Sequence, residues 1–305
     1  MGAKLFNGCS LEKRIHHDCV RSNWIGTWKH SLASLGLTVS VIATMVTIQV
    51  MAYKIKAPFY LDDIAGFLAI AVSSQSLGIL GHETYHDSFF VKRSNNNWFG
   101  RWVFHYPLLG RFDTLRDLHM RHHRFFGSEF DPDSDHWDWR AGDRNHRRQI
   151  LRVSLGVSFT GAVYTAIKSL LKNNDDVGNE QNSKRDISGV FLTQFLIFSA
   201  FYTFGSWKHY VFLYITPIVT IGALIEHLRV FCEHNEGALR VFTRPSRLGL
   251  LVFGRANFRM HALHHQAPST PWFALGSKYS SVSSRVSKPI VLTSNYLSEL
   301  RKIIK

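Results

Sequence analysis

The chain has few cysteines, few acids and no long apolar run in its first 30 residues, and each lack argues against a class of protein. Cys9, Cys19 and Cys232 are its three cysteines; they have no metal-finger spacing, and an odd number does not build a disulfide framework. Reduced thiols are expected. Asp and Glu number 22 against 36 Lys and Arg, a formal charge of +14. That excess suits an anionic membrane surface, an acidic partner or nucleic acid. Residues 1–30 are polar and basic (Lys4, Lys13, Arg14, Arg21, Lys29) with no long apolar core, so no cleavable secretory signal is expected. Phe6 stands where a myristoylation signal wants Ser or Thr. No stretch reads as a hinge between self-sufficient halves, so 1–305 is expected to be one domain, with a basic segment at 1–30 and a soluble tail at 276–305.

What the chain does have is histidine. Eight of its 17 histidines fall in three boxes: His82-Glu-Thr-Tyr-His86, His119-Met-Arg-His122-His123 and His261-Ala-Leu-His264-His265. Residues three and four apart share a helix face, so each box aims its imidazoles at one point. Neutral imidazole is a common ligand for zinc, copper, iron and nickel, and one ion takes three or four. Eight overfill one site and suit two ions. A solvated basic loop explains one such pair, but not three boxes.

Long apolar runs place these boxes at a membrane. Ala33–Tyr53 is uncharged and long enough to cross the hydrocarbon layer. Phe59–Leu80 follows closely enough to return as a hairpin and ends at His82. Gly189–Phe204 and Tyr210–Leu228 form a second hairpin, with Pro217 expected to kink its second arm. Ile150–Leu171 is interrupted by Arg152 and Lys168 and suits either a further span or a helix lying in the interface. Residues 172–186 read as a polar loop.

All three boxes share one side only if an even number of crossings separates them. The expected fold is therefore an all-α membrane protein with four transmembrane helices in two hairpins, an interfacial helix and a histidine-box cap. The region from His82 to Gln149 carries eleven Lys or Arg, whereas the two short opposite loops carry Lys54, Lys56 and Lys208. By the positive-inside tendency the boxes and both termini face the cytosol. Membrane adhesion and an acidic redox partner then account for the charge without nucleic acid.

The motifs extend beyond the histidines. Gly81 and Asp87 flank the first box, Asp131-Pro-Asp133 follows the second, and Asn257-Phe-Arg-Met leads into the third, which exits through Pro268, Pro271 and Trp272. From about Phe59 to Leu275 the pattern resembles the membrane fatty acid desaturase and hydroxylase superfamily. The resemblance implies two irons per chain held by His82, His86, His119, His122, His123, His261, His264 and His265. It implies oxygen as co-substrate and a lipid or fatty acyl substrate losing hydrogens from unactivated carbons. No fused haem-binding donor is visible, so a separate ferredoxin- or cytochrome-type donor is implied. Desaturation is the expected outcome; hydroxylation or ketone formation on a lipid or carotenoid is the alternative. The site is expected to hold a ninth ligand. His227 and His234 lie seven residues apart on one helix face at the end of the last span, and His234, beyond the apolar run, is the better candidate. The resembling family also has a histidine after its last span. Glu83, Arg229, Glu233 and Asn257 are expected to orient ligands.

Two rivals remain at this point. His82-Glu83-Thr-Tyr-His86 also satisfies the zinc-protease pattern HExxH, in which the glutamate activates water. A non-catalytic metal carrier is the other. Among the remaining candidates, His16, His17, His136 and His146 read as solvated, and His105 and His209 as caps or interfacial anchors. Trp98, Trp102, Trp137 and Trp139 read as membrane-boundary or packing residues.

Overall fold

A computed structural model of the chain describes residues 25–54, 61–133, 144–161, 163–164, 177–204, 206–234, 238–278 and 290–304. His16, His17, His136, Trp137, Trp139 and the basic segment 1–24 lie outside them, as does the His146 side chain.

Two long helices open the fold, α1 (Trp28–Lys54) and α2 (Leu61–Tyr85). At 1.5 Å per residue, α1 is about 40 Å long, and it covers the run expected to span at 33–53. It packs along α2, and His30 near its start reaches the Ser88 carbonyl just past the first box at 2.6 Å. The sequence of α2 begins with Asp62 and Asp63, which suit a helix N-terminus, and ends with His82 in its last turn. A short helix, α3 (Arg93–Phe99), runs on as a π-helical turn, Gly100–His105. The second box lies in α4 (Phe112–Phe125).

Next come α5 (Arg144–Ser154) and α6 (Val177–Phe204). A turn at Leu155 and Gly156 ends α5, and Leu151, Leu155, Val157 and Tyr164 around it are exposed. The reading of 172–186 as a loop is corrected by α6, whose first turns include 177–186. At the end of those turns Arg185 and Asp186 meet α4, and Asp186 is fully buried there. Farther along, α6 exposes Phe191, Leu192, Phe195, Leu196 and Tyr202, an apolar face without a protein partner among the described residues.

The last long helix, α7 (Trp207–His234), pairs with α6, and the Tyr210 hydroxyl donates to Gln194 Oε1 at 2.9 Å. Pro217, expected to kink the helix, keeps helical backbone angles. The ring sits between two π-helical segments, Tyr210–Ile215 and Ile218–Gly222, where the regular ladder is already interrupted. Against α2 the approach is close: a Cβ at Gly222 would collide with Ser74 Oγ. Both α2 and α7 end at the histidines. Among the described residues three helices are long and apolar enough to cross a membrane, Asp63–Tyr85, Asn182–Thr203 and Trp207–His234.

The all-α expectation needs one correction. A parallel two-stranded sheet joins β1 (Leu239–Phe242) to β2 (Ile290–Thr293). Between them lie α8 (Arg247–Val252), a 3-10 turn (Arg255–Met260), α9 (His261–Gln266) with the third box, and a 3-10 stretch (Trp272–Lys278). A final helix, α10 (Tyr296–Ile304), follows β2. The expected soluble tail is thus built into the fold. Tyr296 stacks on Phe242 at 3.9 Å and packs with Phe231 and Cys232 of α7, while the Glu299 carboxylate lies 3.2 Å from Arg240 Nε in the interior.

Candidate metal centre

The second box owes its position to a carboxylate on another helix. At the start of α4 the backbone N–H groups of Asp113 and Thr114 donate to Asp186 of α6 at 2.9 and 3.1 Å, and the Tyr106 hydroxyl donates to it at 3.2 Å. Asp186 therefore satisfies the orphan donors of a helix that lacks a side-chain cap of its own. Beside it, Arg101 grips Asp113 through two nitrogens, at 3.1 and 2.8 Å, and Arg185 adds a third contact at 2.8 Å. Burial alone would raise the Asp113 carboxyl; the hydrogen bonds and charge of Arg101, then of Arg185, outweigh it and hold the group below the usual carboxylate range.

The first box starts in the last turn of α2 and finishes just beyond it. Arg116 of α4 donates to Asp87 at 2.8 Å and to Asn97 at 2.8 Å, fastening the exit of that box to the second. The third box is entered through Ala256 and Asn257, both at positive φ. Asn257 donates to the Trp272 carbonyl at 3.0 Å. Its hydrogen bond thus joins the entry of the third box to its exit, and goes to no imidazole.

All eight box histidines and His234 converge. His82, His86, His119, His123 and His264 present ligand atoms within 4.8 Å of one another, and so do His122, His234 and His265. His261 joins the second group: Nε2 atoms of His234, His261 and His265 form a triangle with 3.0 Å sides. The two groups adjoin, with the rings of His123 and His265 stacked at 4.2 Å. His227, one of the pair weighed for a ninth ligand, lies outside both groups.

Carboxylates stand behind the rings. Asp131 accepts from His122 Nδ1 at 2.8 Å. Glu83 Oε1 lies 3.7 Å from His82 Nδ1 and 3.8 Å from His264 Nδ1, and Glu233 Oε2 lies 3.7 Å from His261 Nδ1. Arg229 binds Glu233 on one side and Glu226 on the other, at 2.9 Å from its Nε, and its guanidinium lies 4.8 Å from the Phe258 ring. Phe258 and Phe126 cover the two groups, at 4.8 Å from His82 and 5.0 Å from His265. Asp131 was present in the sequence only as part of a motif; its contact with His122 needs the loop that folds it back.

Burial lowers the imidazoles outside the long helices. His86 falls to about 3, from burial and then the Arg116 charge. His123 falls to about 2, from burial and then its neighbours His86 and His122. His119, His261, His264 and His265 are lowered well below the ordinary value, burial again leading. Their nitrogen lone pairs are therefore free to bind a cation at neutral pH. The Nε2 atoms of His82, His123 and His264 are buried without a hydrogen-bond partner. Such an orphan costs about 1–3 kcal/mol, which a metal ion would recover. Nitrogen donors suit iron, zinc or copper, and the shortage of carboxylate ligands argues against magnesium and calcium.

A family model for fatty acid desaturases matches residues 63–288. The chain belongs to the fatty acid desaturase family. No curated protein gives a significant match. Family membership makes the chain an oxidoreductase with a lipid substrate and a membrane setting. It also displaces the zinc-protease reading. In HExxH proteases the glutamate faces the metal-bound water, whereas Glu83 of this desaturase-family chain is wholly buried on the Nδ1 side of His82 and His264.

Other sequence candidates fall elsewhere. Trp98 and Trp102 are exposed, as boundary residues would be, and His209 is exposed at the start of α7. His105 is not an interfacial anchor: it is buried and hydrogen-bonded at both ring nitrogens, because the π turn carries it inward beneath the first box. A groove of about 480 Å³ lined by Phe67, Leu68, Phe212, Leu213 and Lys208 lies at the opposite ends of α2 and α7 from the histidines.

Proposed function

We propose that the chain is an oxygen-dependent di-iron oxidoreductase that desaturates a fatty acyl chain of a lipid. The observation that carries this reading is the convergence of nine imidazoles into two adjoining groups inside a desaturase-family fold. In it His82, His86, His119, His123 and His264 hold one iron, and His122, His234, His261 and His265 hold the other. Two bound irons would supply, with oxygen, the oxidising power to take hydrogen from an unactivated methylene. The protein's own share is placement. Asp131, Glu83 and Glu233 fix imidazole orientation from behind, Arg229 holds Glu233, and Phe126 and Phe258 keep water from the rings. Apolar surface beside the boxes receives the acyl chain.

The same reading places four crossings, by α1, α2, α6 and α7, with residues 150–171 in the interface. The boxes and both terminal segments then face the cytosol, where a separate ferredoxin- or cytochrome-type donor meets the basic surface. The concentration of Lys and Arg between His82 and Gln149 supports that side.

Mass spectrometry of lipids from cells expressing the chain, against a His122→Ala control, tests the reaction. A new cis double bond in an acyl chain, absent from the control, is the expected result. A hydroxylated or keto product without a new alkene would move the assignment to the alternative chemistry of the same site.

A further inference from the structure

Tyr85 lies within the first box, next to His86, yet none of the roles above uses it. Its ring sits 5.5 Å from that of His119 and 6.0 Å from that of His82. Its hydroxyl sits 2.5 Å from His105 Nε2. The other nitrogen, Nδ1, lies 2.7 Å from the Gly100 carbonyl. A carbonyl only accepts, so Nδ1 carries the proton and donates. Burial, against the Gly100 hydrogen bond, lowers His105 to about 4, so at neutral pH its Nε2 is a bare lone pair. The Tyr85 O–H is therefore the donor in a buried phenol–imidazole pair, 7% and 6% exposed. The pair is built rather than incidental: a Cβ at Gly81 would collide with His105 Cε1, and Phe112 packs on both rings, at 5.6 and 5.3 Å. A buried hydroxyl needs one acceptor, and a carbonyl would serve. Here the acceptor is a base with its tautomer fixed, against the histidines of the candidate centre.

We propose that Tyr85 and His105 form a proton-coupled electron relay to the metal centre, a role that rests on the di-iron reading above. When an oxidising equivalent derived from oxygen is left at the centre without substrate, Tyr85 gives one electron to it. The phenolic O–H bond breaks, and the proton forms an N–H bond at His105 Nε2. Tyr85 becomes a neutral phenoxyl radical and His105 an imidazolium whose Nδ1–H stays on the Gly100 carbonyl. One electron from the external one-electron donor, with return of the proton from Nε2, restores the pair. Charge and protons balance at each stage, and no third group is needed. The relay spares the surrounding histidines and aromatics from oxidation when turnover is uncoupled.

The experiment uses the full chain, iron-loaded, reduced, mixed with oxygen without lipid, and frozen at intervals for electron paramagnetic resonance. The expected result is an organic radical whose spectrum narrows when the chain is made with ring-deuterated tyrosine, and whose hyperfine coupling to one exchangeable proton disappears in D2O. The signal is lost in Tyr85→Phe, which removes only the hydroxyl, and loses the exchangeable coupling in His105→Leu, which leaves no donor. The deuterium comparison needs no substitution, so a variant that fails to fold does not decide the matter. Iron bound and oxygen consumed with no tyrosyl signal overturns the relay alone, as does a tyrosyl signal that persists in an iron-replete Tyr85→Phe protein. A wild-type chain that takes up no iron, or iron but no oxygen, overturns the di-iron reading and the relay together.

Discussion

The Asp131 carboxylate accepts a hydrogen bond from His122 Nδ1 at 2.8 Å, with both side chains almost fully enclosed. It also gathers the N–H groups of Gly127 and Asp133, so one carboxylate shapes the loop after the second box and aims one of its imidazoles. Replacing such a partner costs about 10–100-fold in metal affinity. Asp131→Ala is expected to lose iron to a chelator at concentrations that leave the wild type loaded, with Asp131→Asn between them. Equal retention in all three would remove Asp131 from the site.

His234 and His227 provide an internal control on one helix. His234→Ala is expected to drop bound iron toward one per chain and abolish turnover, because its Nε2 is a corner of the triangle with His261 and His265. His227→Ala, outside both groups, should keep both irons. Full loading of the His234 variant, measured by elemental analysis of folded protein, would refute its place among the ligands.

Asp186 acts on the centre from a distance. In Asp186→Ala the donors at the start of α4 lose their acceptor, and the loss of such a cap costs about 1–2 kcal/mol. The helix carrying His119, His122 and His123 should fray, which hydrogen exchange at residues 113–116 would register. Unchanged exchange there would show that α4 needs no help from α6.

The lowered value of His105 has a sign that can be checked. Its folded value is about 4 against an ordinary 6.5, so below pH 6.5 the unfolded chain takes up the proton first. Stability from the neutral buried ring is complete above pH 6.5 and drains away as the pH falls toward 4, by roughly 3 kcal/mol in all. His105→Gln should remove this part of the acid sensitivity, so the gap between wild type and variant in detergent should change between pH 7 and pH 5. A constant gap across that window contradicts a neutral His105.

What could be read from the sequence was local, and what could not was long-range. Each box announces itself within five residues because helical spacing aligns its histidines, and His234 could be singled out by its position past an apolar run. Asp186 could not. Its partners at Asp113 and Thr114 lie more than seventy positions earlier, and its own surroundings are polar enough to read as a loop. The strands of the small sheet are four residues each, and Leu239 pairs with Ile290 across the whole third box. Neither strand is long enough to show a period. His105 and Tyr85 were both visible, but only the π turn at Gly100–His105 brings them together.

The parallel pairing of β1 with β2 bears on when the centre can exist. Among the described residues every long apolar helix precedes β1, so these helices are all synthesised while residues 290–304 are still inside the ribosome. Until those residues emerge, β1 has no partner strand, Arg240 has no Glu299, and the Phe231 and Cys232 side of α7 lacks Tyr296. That side lies one turn before His234. Assembly of the histidine cluster thereby waits on the emergence of β2 and α10, and a chain stopped before them would carry its apolar helices without the packing that backs the His234 end of α7.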